Sequence, residues 1–225
     1  MCVNFTPIKR TALSELVKLE RVPDYPPQTF PGYAAPVIRS CDKGILQAEL
    51  GLFGLLPAWA KDRTFGKRTY NARTETVSEK PSYRTAWAKN QFCLIPMERF
   101  FEPCWETGKA VRWSIHRLDH TPFAVAAIWD QWVDKSTGEI VLSFSMLTIN
   151  ADGHPVMGRF HKPQDERRSL VVMPNTRWSD WLGASASSAH DMLLEMNAAD
   201  FEAAPSDNQA ARAQKPAQDS FQLGL

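Results

Sequence analysis

The second residue of the chain, Cys2, stands directly behind the initiator methionine. Initiator methionine is normally removed when the next residue is small, and we expect its removal here. Cys2 would then carry a free α-amine two carbons away from its thiol. Model α-amines titrate at about pH 7.7–8.0, so part of such an amine is neutral and nucleophilic near neutral pH. Cys2 is therefore a candidate catalytic residue that offers two nucleophiles, its amine and its thiol. The alternative is that the cysteine at this position has no chemical role.

Two further side chains could move protons. Glu102 lies in the run RFFEPCWE, behind two phenylalanines, and loss of hydration among aromatic rings raises the pKa of a carboxyl. His161 lies in the polar segment GRFHKPQDERRS between predicted strands, and histidine exchanges protons near neutral pH. For each of them, a solvent-facing side chain without a chemical role is the alternative.

A basic stretch, KDRTFGKRTYNARTET, could bind phosphate groups. Such a cluster attracts nucleic acid, although a solvated loop has the same composition. Asn71 and Arg73 alternate, so both face the same side if the segment is a strand. The positive side chains are those of Lys61, Arg63, Lys67, Arg68 and Arg73.

A tryptophan precedes this basic stretch. Trp59 follows a proline and comes before the charged run, which argues against deep burial. An exposed tryptophan beside lysines can stack on a nucleic-acid base, whereas packing in the core is the commoner role of the residue type.

Composition and cysteine usage exclude several classes of protein. The formal net charge of +1 gives no overall attraction to nucleic acid or anionic membranes. No apolar run approaches the roughly 18 residues of a membrane span, and the N-terminus lacks the pattern of a secretory signal, so we expect a cytoplasmic protein. The cysteines form no CxxC pair and the histidines no zinc motif, so we predict free thiols and no metal or cofactor. We assign no role to His116, His120, His154 and His190.

The elements that would position these residues are mostly strands. The segment from Thr11 to Glu20 predicts a short helix capped by Thr11, and the proline-rich stretch RVPDYPPQTFPGYAAP is expected to be irregular. From Gln91 onward the runs QFCLIPMERFFEPCWE, AVRWSIHRL, PFAVAAIWDQWV, EIVLSFSMLTIN and SLVVMP predict strands. DKSTGE predicts a hairpin turn in which Gly138 takes a positive φ.

Two short helices and a tail are predicted to follow. NTRWSDWLG predicts a helix capped by Asn175 or Thr176, with apolar residues on one face, and a second helix is expected from Ala189 to Met196. The polar, aperiodic residues 203–225 are predicted to be a disordered tail. We therefore predict one α+β domain over residues 1–202, on a largely antiparallel, barrel-like sheet with a few peripheral helices. The apolar face of the NTRWSDWLG helix consists of Trp178, Trp181 and Leu182.

Taken in order, these motifs resemble the SOS-response-associated peptidase (SRAP) family, whose members crosslink themselves to abasic sites in single-stranded DNA. The resemblance covers roughly residues 1–182. It implies that Cys2 forms the crosslink and that Asn71, Glu102 and His161 complete the active site. The shared motifs are Met1-Cys2, Asn71-Ala72-Arg73, Phe101-Glu102, the loop histidine His161, Ala35-Pro36 and Pro57-x-Trp59.

The resemblance also implies which residues contact DNA. Arg73 would pair with a flanking phosphate. Trp59 and Pro36 would stack on the neighbouring bases or wedge between them, which favours single-stranded DNA over a duplex.

This chain departs from the family at its N-terminus. Family members often begin Met-Cys-Gly-Arg-Phe, and Asn4 stands here in place of the arginine that helps to hold DNA phosphate. Asn4 remains a predicted DNA contact at this position, and the basic loop with Lys67 and Arg68 would substitute for the arginine. The usual Asn-x-Ala-Pro reads Tyr33-Ala34-Ala35-Pro36 here.

A reaction follows from the resemblance. The amine of Cys2 would attack the open-chain aldehyde of an abasic sugar to form a Schiff base, and the thiol would then close a thiazolidine ring. Glu102 would shuttle protons, His161 would protonate the sugar ring oxygen, and Asn71 would hold the Cys2 amine or the sugar. A Schiff base alone can also eliminate the 3′ phosphate, so some strand-cleaving lyase activity is compatible with this chemistry.

Two other functions remain open at this point. One is a cysteine-type peptidase or hydrolase that uses Cys2 with His161 and either Asn71 or Glu102; a version of it cuts only the peptide bond behind Met1. The other is a non-covalent single-stranded DNA-binding module. For the crosslinking protein we expect a monomer whose partner is single-stranded DNA containing abasic sites, with no membrane association and no cofactor.

Overall fold

One β-sheet organises the chain. The structure, a computed structural model, describes residues 2–17, 24–40 and 45–206. Within these residues eleven strands share the sheet. They are β1 (Asn4–Pro7), β2 (Ala34–Ser40), β3 (Leu46–Phe53), β4 (Asn71–Arg73), β5 (Phe92–Cys104), β6 (Val111–Arg117), β7 (Phe123–Val133), β8 (Ile140–Asn150), β9 (Arg168–Leu170), β10 (Val172–Met173) and β11 (Phe201–Pro205).

Five strands close into a barrel. β5 pairs with β7, β7 with β8, β8 with β3, β3 with β2, and β2 returns to β5. All of these pairings are antiparallel except that of β3 with β8. The 13 residues of β5 are enough to pair with β2 and β7 in its first half and with β1 and β6 in its second half. The architecture confirms the predicted α+β domain on a largely antiparallel, barrel-like sheet.

Short helices surround the sheet. The predicted first helix is shorter than expected, because it begins after Lys9, without a side-chain cap, and ends at Leu16, where Val17 is already extended. The prediction that Thr11 caps it is therefore wrong, and residues 18–20 lie outside the described residues. The helices are α1 (Arg10–Leu16), α2 (Arg84–Ala88), α3 (Trp178–Leu182) and α4 (Ala186–Ala189), with 3-10 helices at Arg63–Arg68, Met157–Arg159, Asn175–Arg177, His190–Met192 and Ala198–Asp200. None of the helices in this part of the chain is long and apolar enough to span a membrane.

The last helices also differ from the prediction. Residues 175–177 form a 3-10 turn after Pro174, so neither Asn175 nor Thr176 caps α3 with its side chain. The predicted helix from Ala189 to Met196 instead begins earlier, at α4, where Ser185 forms a capping box, and it ends as a 3-10 turn at Met192. The three apolar side chains of α3 are buried, as predicted.

Both faces of the central strands are covered, which explains why they are apolar at consecutive positions. In β5, Leu94 packs into one cluster and Ile95 into another. The first, the helix cluster, places strand residues against α1, α2 and α3 and includes Leu13, Trp87, Leu94, Trp178 and Trp181. The second, the strand cluster, is built mainly from strand residues and includes Phe53, Ile95, Phe100, Phe144 and Met146.

The structure confirms the predicted strands in the later part of the chain, whereas the earlier strands were not predicted. β5 to β8 lie inside the predicted runs, and Gly138 takes a φ of 77° in the hairpin between β7 and β8. β1 and β4 contain only four and three residues, which is too short for an alternation to be recognised. β2 and β3 carry charged residues and a glycine between their apolar positions.

The C-terminal boundary lies beyond the predicted one. Residues 201–205 form β11, which pairs antiparallel with β6. Residues 203–205 therefore belong to the sheet and not to a tail, because the edge of β6 supplies hydrogen-bond partners to a segment of low β-propensity. Residues 207–225 of the predicted tail lie outside the described residues.

Candidate active site

Four side chains from separate parts of the chain meet beside the strand cluster. Cys2 precedes β1, Asn71 begins β4, Glu102 lies near the end of β5, and His161 follows the 3-10 helix Met157–Arg159. The structure thus brings together the four residues to which the sequence assigns chemistry. The side chains of Glu102 and His161 are 3% and 7% exposed, so their charges are largely removed from water.

Asn71 fixes the backbone of Cys2. The amide nitrogen Nδ2 of Asn71 donates a hydrogen bond of 2.8 Å to the Cys2 carbonyl oxygen. Asn71 is itself held by Tyr83, whose hydroxyl donates to the Asn71 carbonyl at 3.0 Å. The Asn71 side-chain oxygen is buried and accepts no hydrogen bond from the residues that the structure describes. A buried acceptor of this kind can receive a donor from a bound ligand.

Glu102 is buried by the alternation of β5. Phe100 belongs to the strand cluster, and residues two apart on a strand share a face, so Glu102 projects to the same side. Burial raises the pKa of Glu102 from its ordinary value of 4.5 to about 7. The carboxyl can therefore both accept and release a proton near neutral pH. This agrees with the prediction drawn from its aromatic neighbours.

His161 is held in place by the loop around it. Its backbone has a φ of 75°, a left-handed conformation, and its N–H donates to the Pro103 carbonyl at 3.2 Å. Two residues earlier, Arg159 donates two hydrogen bonds, of 2.8 and 2.9 Å, to the carboxylate of Glu106. These contacts fasten the loop to the end of β5. As a result, His161 Nε2 lies 3.6 Å from Glu102 Oε2.

The charge states of the pair follow from its burial. Burial lowers the pKa of His161 from 6.5 to about 4, so the imidazole is neutral at pH 7. Glu102, with a pKa of about 7, is divided between its protonated and ionised forms at that pH. In the molecules that hold it, the exchangeable proton of this pair is therefore on Glu102, and the two side chains do not form a permanent ion pair.

The thiol of Cys2 is protonated in this environment. Cys2 is 1% exposed, and burial, followed by the negative charge of Glu102, raises the pKa of its thiol to about 12. Its Sγ donates a weak hydrogen bond of 3.4 Å to the Asn4 carbonyl. Because residue 2 is joined to Met1 in the printed sequence, its nitrogen is an amide here and becomes an amine only after Met1 is removed.

Positive side chains of the basic stretch lie on the surface. Lys67 and Arg68 are exposed at the end of a 3-10 helix, and Arg73 is exposed on β4 and forms an ion pair of 2.8 Å with Glu166. Trp59 is 54% exposed, which confirms the expectation that it is not deeply buried. These four side chains are accessible to a ligand from solvent.

Two residues predicted to contact DNA are buried instead. Pro36 lies inside β2, paired with Leu50 of β3. Asn4 is 4% exposed; it donates to the Thr29 carbonyl at 3.2 Å, and its side-chain oxygen accepts a hydrogen bond from Arg112. Because they are buried, these two side chains offer little surface for base stacking or phosphate binding, and their DNA contacts stay predictions.

Several residues that support the site were not predicted from the sequence. Tyr83 supports Asn71, and Arg159 with Glu106 supports His161. The guanidinium of Arg112 lies 3.4 Å from the centre of the Phe101 ring and reaches Asn4. All of these contacts join distant parts of the chain, so no local motif indicated them.

Two relatives with known names are similar to part of this chain in sequence. The abasic site processing protein YoaM of Bacillus subtilis is 28% identical over 157 residues, which are 67% of this chain and 64% of that protein. The abasic site processing protein YoqW of the same organism is 29% identical over 133 residues, 58% of this chain and 54% of that protein. The matches therefore span less than two thirds of the length of these two relatives.

Solved structures share the fold. A protein of Bordetella bronchiseptica superimposes with a TM-score of 0.84 and is 31% identical, covering 92% of this chain and all of that one. A protein of Bacteroides thetaiotaomicron has a TM-score of 0.77 at 22% identity, covering 92% and 93% of the two chains. The family described as SOS response associated peptidase (SRAP) matches residues 1–211. The chain belongs to the SRAP family.

Proposed function

We propose that this protein processes abasic sites by capturing them covalently through Cys2. The observation that carries the proposal is the hydrogen bond of 2.8 Å from Asn71 to the Cys2 carbonyl. It fixes the residue that becomes the N-terminus beside Glu102 and His161, the two groups that can exchange protons. The names of the relatives YoaM and YoqW point to the same substrate class.

The first step joins the Cys2 amine to the sugar aldehyde. The neutral amine adds to the carbonyl carbon to give a carbinolamine, and loss of water gives an iminium ion. Protonated Glu102 donates the proton that the departing hydroxyl needs, and the resulting carboxylate stabilises the iminium charge. A carboxyl with a pKa of about 7 suits both halves of this step.

The second step closes the ring. A thiol with a pKa of about 12 is a poor nucleophile. The positive iminium ion beside the sulfur lowers this pKa, so the thiol gives its proton to the Glu102 carboxylate as the sulfur bonds to the former aldehyde carbon. The product is a neutral thiazolidine, and the overall reaction releases one water. Because both nucleophiles belong to one residue, closure is intramolecular and therefore fast.

His161 has a modified role in this scheme. The family resemblance predicts that it protonates the sugar ring oxygen, but a pKa of about 4 leaves little imidazolium at pH 7. We propose that the neutral ring relays the proton of Glu102, which lies 3.6 Å away, to the ring oxygen. The sugar opens to its aldehyde form as the C1′ hydroxyl gives its proton to the Glu102 carboxylate, so that Glu102 is protonated again for the reaction with the amine.

DNA would approach from the exposed surface. Lys67, Arg68 and Arg73 offer positive charge to the phosphates, and Trp59 offers an exposed ring on which an unpaired base can stack. Stacking of this kind requires an unpaired base, which favours single-stranded DNA as the substrate.

A gel experiment tests the proposal. The protein is incubated with a single-stranded oligonucleotide that carries one abasic site, and a shifted band that survives heating in denaturant is the expected result. Cys2→Ala and protein that retains Met1 should form no such band. Cys93→Ala is the matched control, because Cys93 is another buried cysteine of the strand cluster, and it should crosslink normally.

The same experiment separates the alternatives. A peptidase that uses Cys2 would cleave peptides without forming a heat-stable band. A non-covalent binding module would retain the oligonucleotide in a native gel equally with and without Cys2. Strand cleavage by β-elimination would appear as a shorter oligonucleotide, and ring closure should keep this product minor. Either of the first two outcomes contradicts the proposal.

A further inference from the structure

We propose that His116, His120 and Glu202 form a binding site for a divalent transition-metal ion of the Zn²⁺ type. One ligand atom from each of the three side chains lies within 4.8 Å of the other two. This inference is independent of the proposed DNA chemistry. The ion would connect β6, the turn that follows it, and β11, the last strand that the structure describes.

The sheet places two of the three ligands opposite each other. Glu202 of β11 is the direct cross-strand partner of His116 of β6. His116 Nε2 therefore lies 3.0 Å from Glu202 Oε1. Ligand atoms around a tetrahedral Zn²⁺ ion are about 3.3 Å apart, given bonds of roughly 2.0–2.1 Å. This pair of atoms is already near the spacing that the ion requires.

The turn after β6 brings in the third ligand. His120 has a φ of 56°, and its N–H donates to the Arg117 carbonyl at 3.0 Å, so the chain folds back on β6. Asp119 stabilises the turn by accepting hydrogen bonds of 3.0 and 2.7 Å from the backbone and side chain of Thr121. The His120 ring consequently stacks on the His116 ring, with centroids 5.1 Å apart and planes 15° apart.

The ligands can close around an ion without rebuilding the sheet. His120 and Glu202 are exposed, so their side chains are free to move. They can shorten the present spacing of the ligand atoms, up to 4.8 Å, toward the roughly 3.3 Å found around Zn²⁺. His116 is held by Nε2 alone, since its Nδ1 makes no hydrogen bond with the described part of the chain. Two imidazoles and one carboxylate suit Zn²⁺ and its late first-row neighbours, and three protein ligands leave a fourth position for water.

From the sequence we predicted no metal and assigned no role to His116 or His120. Their His-x₃-His spacing occurs in zinc sites together with further ligands. The third ligand comes from the far end of the chain, where the sequence predicted no strand. A bound ion would fasten β11 to β6, which lies beside β5, the strand that carries Glu102.

Calorimetric titration of the full chain with Zn²⁺ tests the site. We expect saturable binding of one ion per chain and a higher melting temperature in the presence of Zn²⁺. His120→Asn, which tolerates the left-handed backbone, and Glu202→Gln should each weaken binding at least about tenfold. His190→Asn changes an exposed histidine outside the cluster and should leave the affinity unchanged.

Two results would overturn the proposal. The parent protein could show no saturable binding, in which case His116 and Glu202 are only a hydrogen-bonded pair. Alternatively, either cluster variant could bind Zn²⁺ as tightly as the parent, in which case the ion sits elsewhere, for example at Cys2. Co²⁺ provides a second readout, because a three-ligand site should give a visible absorption band that both cluster variants lose.

Discussion

The buried site around Cys2 and the exposed basic stretch differ in how their residues are held. Asn71, Glu102 and His161 are each fixed by a contact to another element or by burial in the strand cluster. In the basic stretch, by contrast, Lys67 and Arg68 extend into solvent. We infer from this comparison that chemistry and DNA affinity are located in separate regions of the molecule. Substitutions in the buried site should therefore change the rate of crosslinking, and substitutions in the basic stretch should change DNA binding.

The largest effect is expected for Glu102→Gln. The amide keeps the shape of the carboxyl but cannot exchange a proton, so crosslinking at saturating DNA should slow by about 100-fold or more. Binding of the oligonucleotide should be unchanged. Glu15→Gln is the control, since Glu15 is an exposed carboxylate on α1 with no part in the site. Equal rates for Glu102→Gln and the parent would remove the proton-transfer role.

The same substitution should stabilise the folded protein at alkaline pH. The pKa of Glu102 is about 7 in the folded state against an ordinary value of 4.5, so the folded state holds the proton more tightly. The parent therefore loses stability as pH rises through this window, and Gln does not. Urea unfolding should show Glu102→Gln about 3 kcal/mol more stable at pH 8 and nearly equal to the parent at pH 4. A difference independent of pH would mean that the pKa of Glu102 is the same in the folded and unfolded states.

His161→Asn should have a smaller effect on the rate. Asn accepts the left-handed backbone at φ 75°, so the loop is retained while the relay is lost. Single-turnover crosslinking should slow by about tenfold. If the abasic sugar is supplied already opened, as an acyclic aldehyde, the variant should match the parent. A defect of the same size with the acyclic aldehyde would place His161 in a later step.

The smallest effect belongs to the basic stretch. Replacing Lys67 and Arg68 together by Ala should weaken binding of a non-reactive abasic analogue about fivefold and reduce the slope of log affinity against log salt by about 0.7 for each lost contact. Crosslinking at saturating DNA should be unchanged. Lys109→Ala, at an exposed position elsewhere, is the control. An unchanged salt dependence would show that DNA does not use this surface.

The sequence predicted the surroundings of single residues better than the contacts between them. The aromatic neighbours of Glu102 were enough to predict a raised pKa, because burial of a carboxyl is a local property of β5. The strands β5 to β8 were predicted equally well, since their long apolar runs favour buried strands. Trp59 was correctly expected to be exposed because a charged run follows it.

The assembly of the site could not be derived from local patterns. Asn71 and Cys2 are 69 positions apart, and their contact depends on the pairing of β4 with β8. His161 reaches Glu102 only because its loop bends back on β5, through contacts that no motif encodes. The burial of Pro36 could not be predicted for a related reason, because it depends on the pairing of β2 with β3.

Intact mass spectrometry tests the central claim most directly. The purified protein is measured before and after incubation with a short single-stranded oligonucleotide that carries one abasic site. We predict that the starting protein lacks Met1 and that the product equals protein plus oligonucleotide minus one water, stable without added reductant. The same adduct on protein that retains Met1, or on Cys2→Ala, would contradict the account.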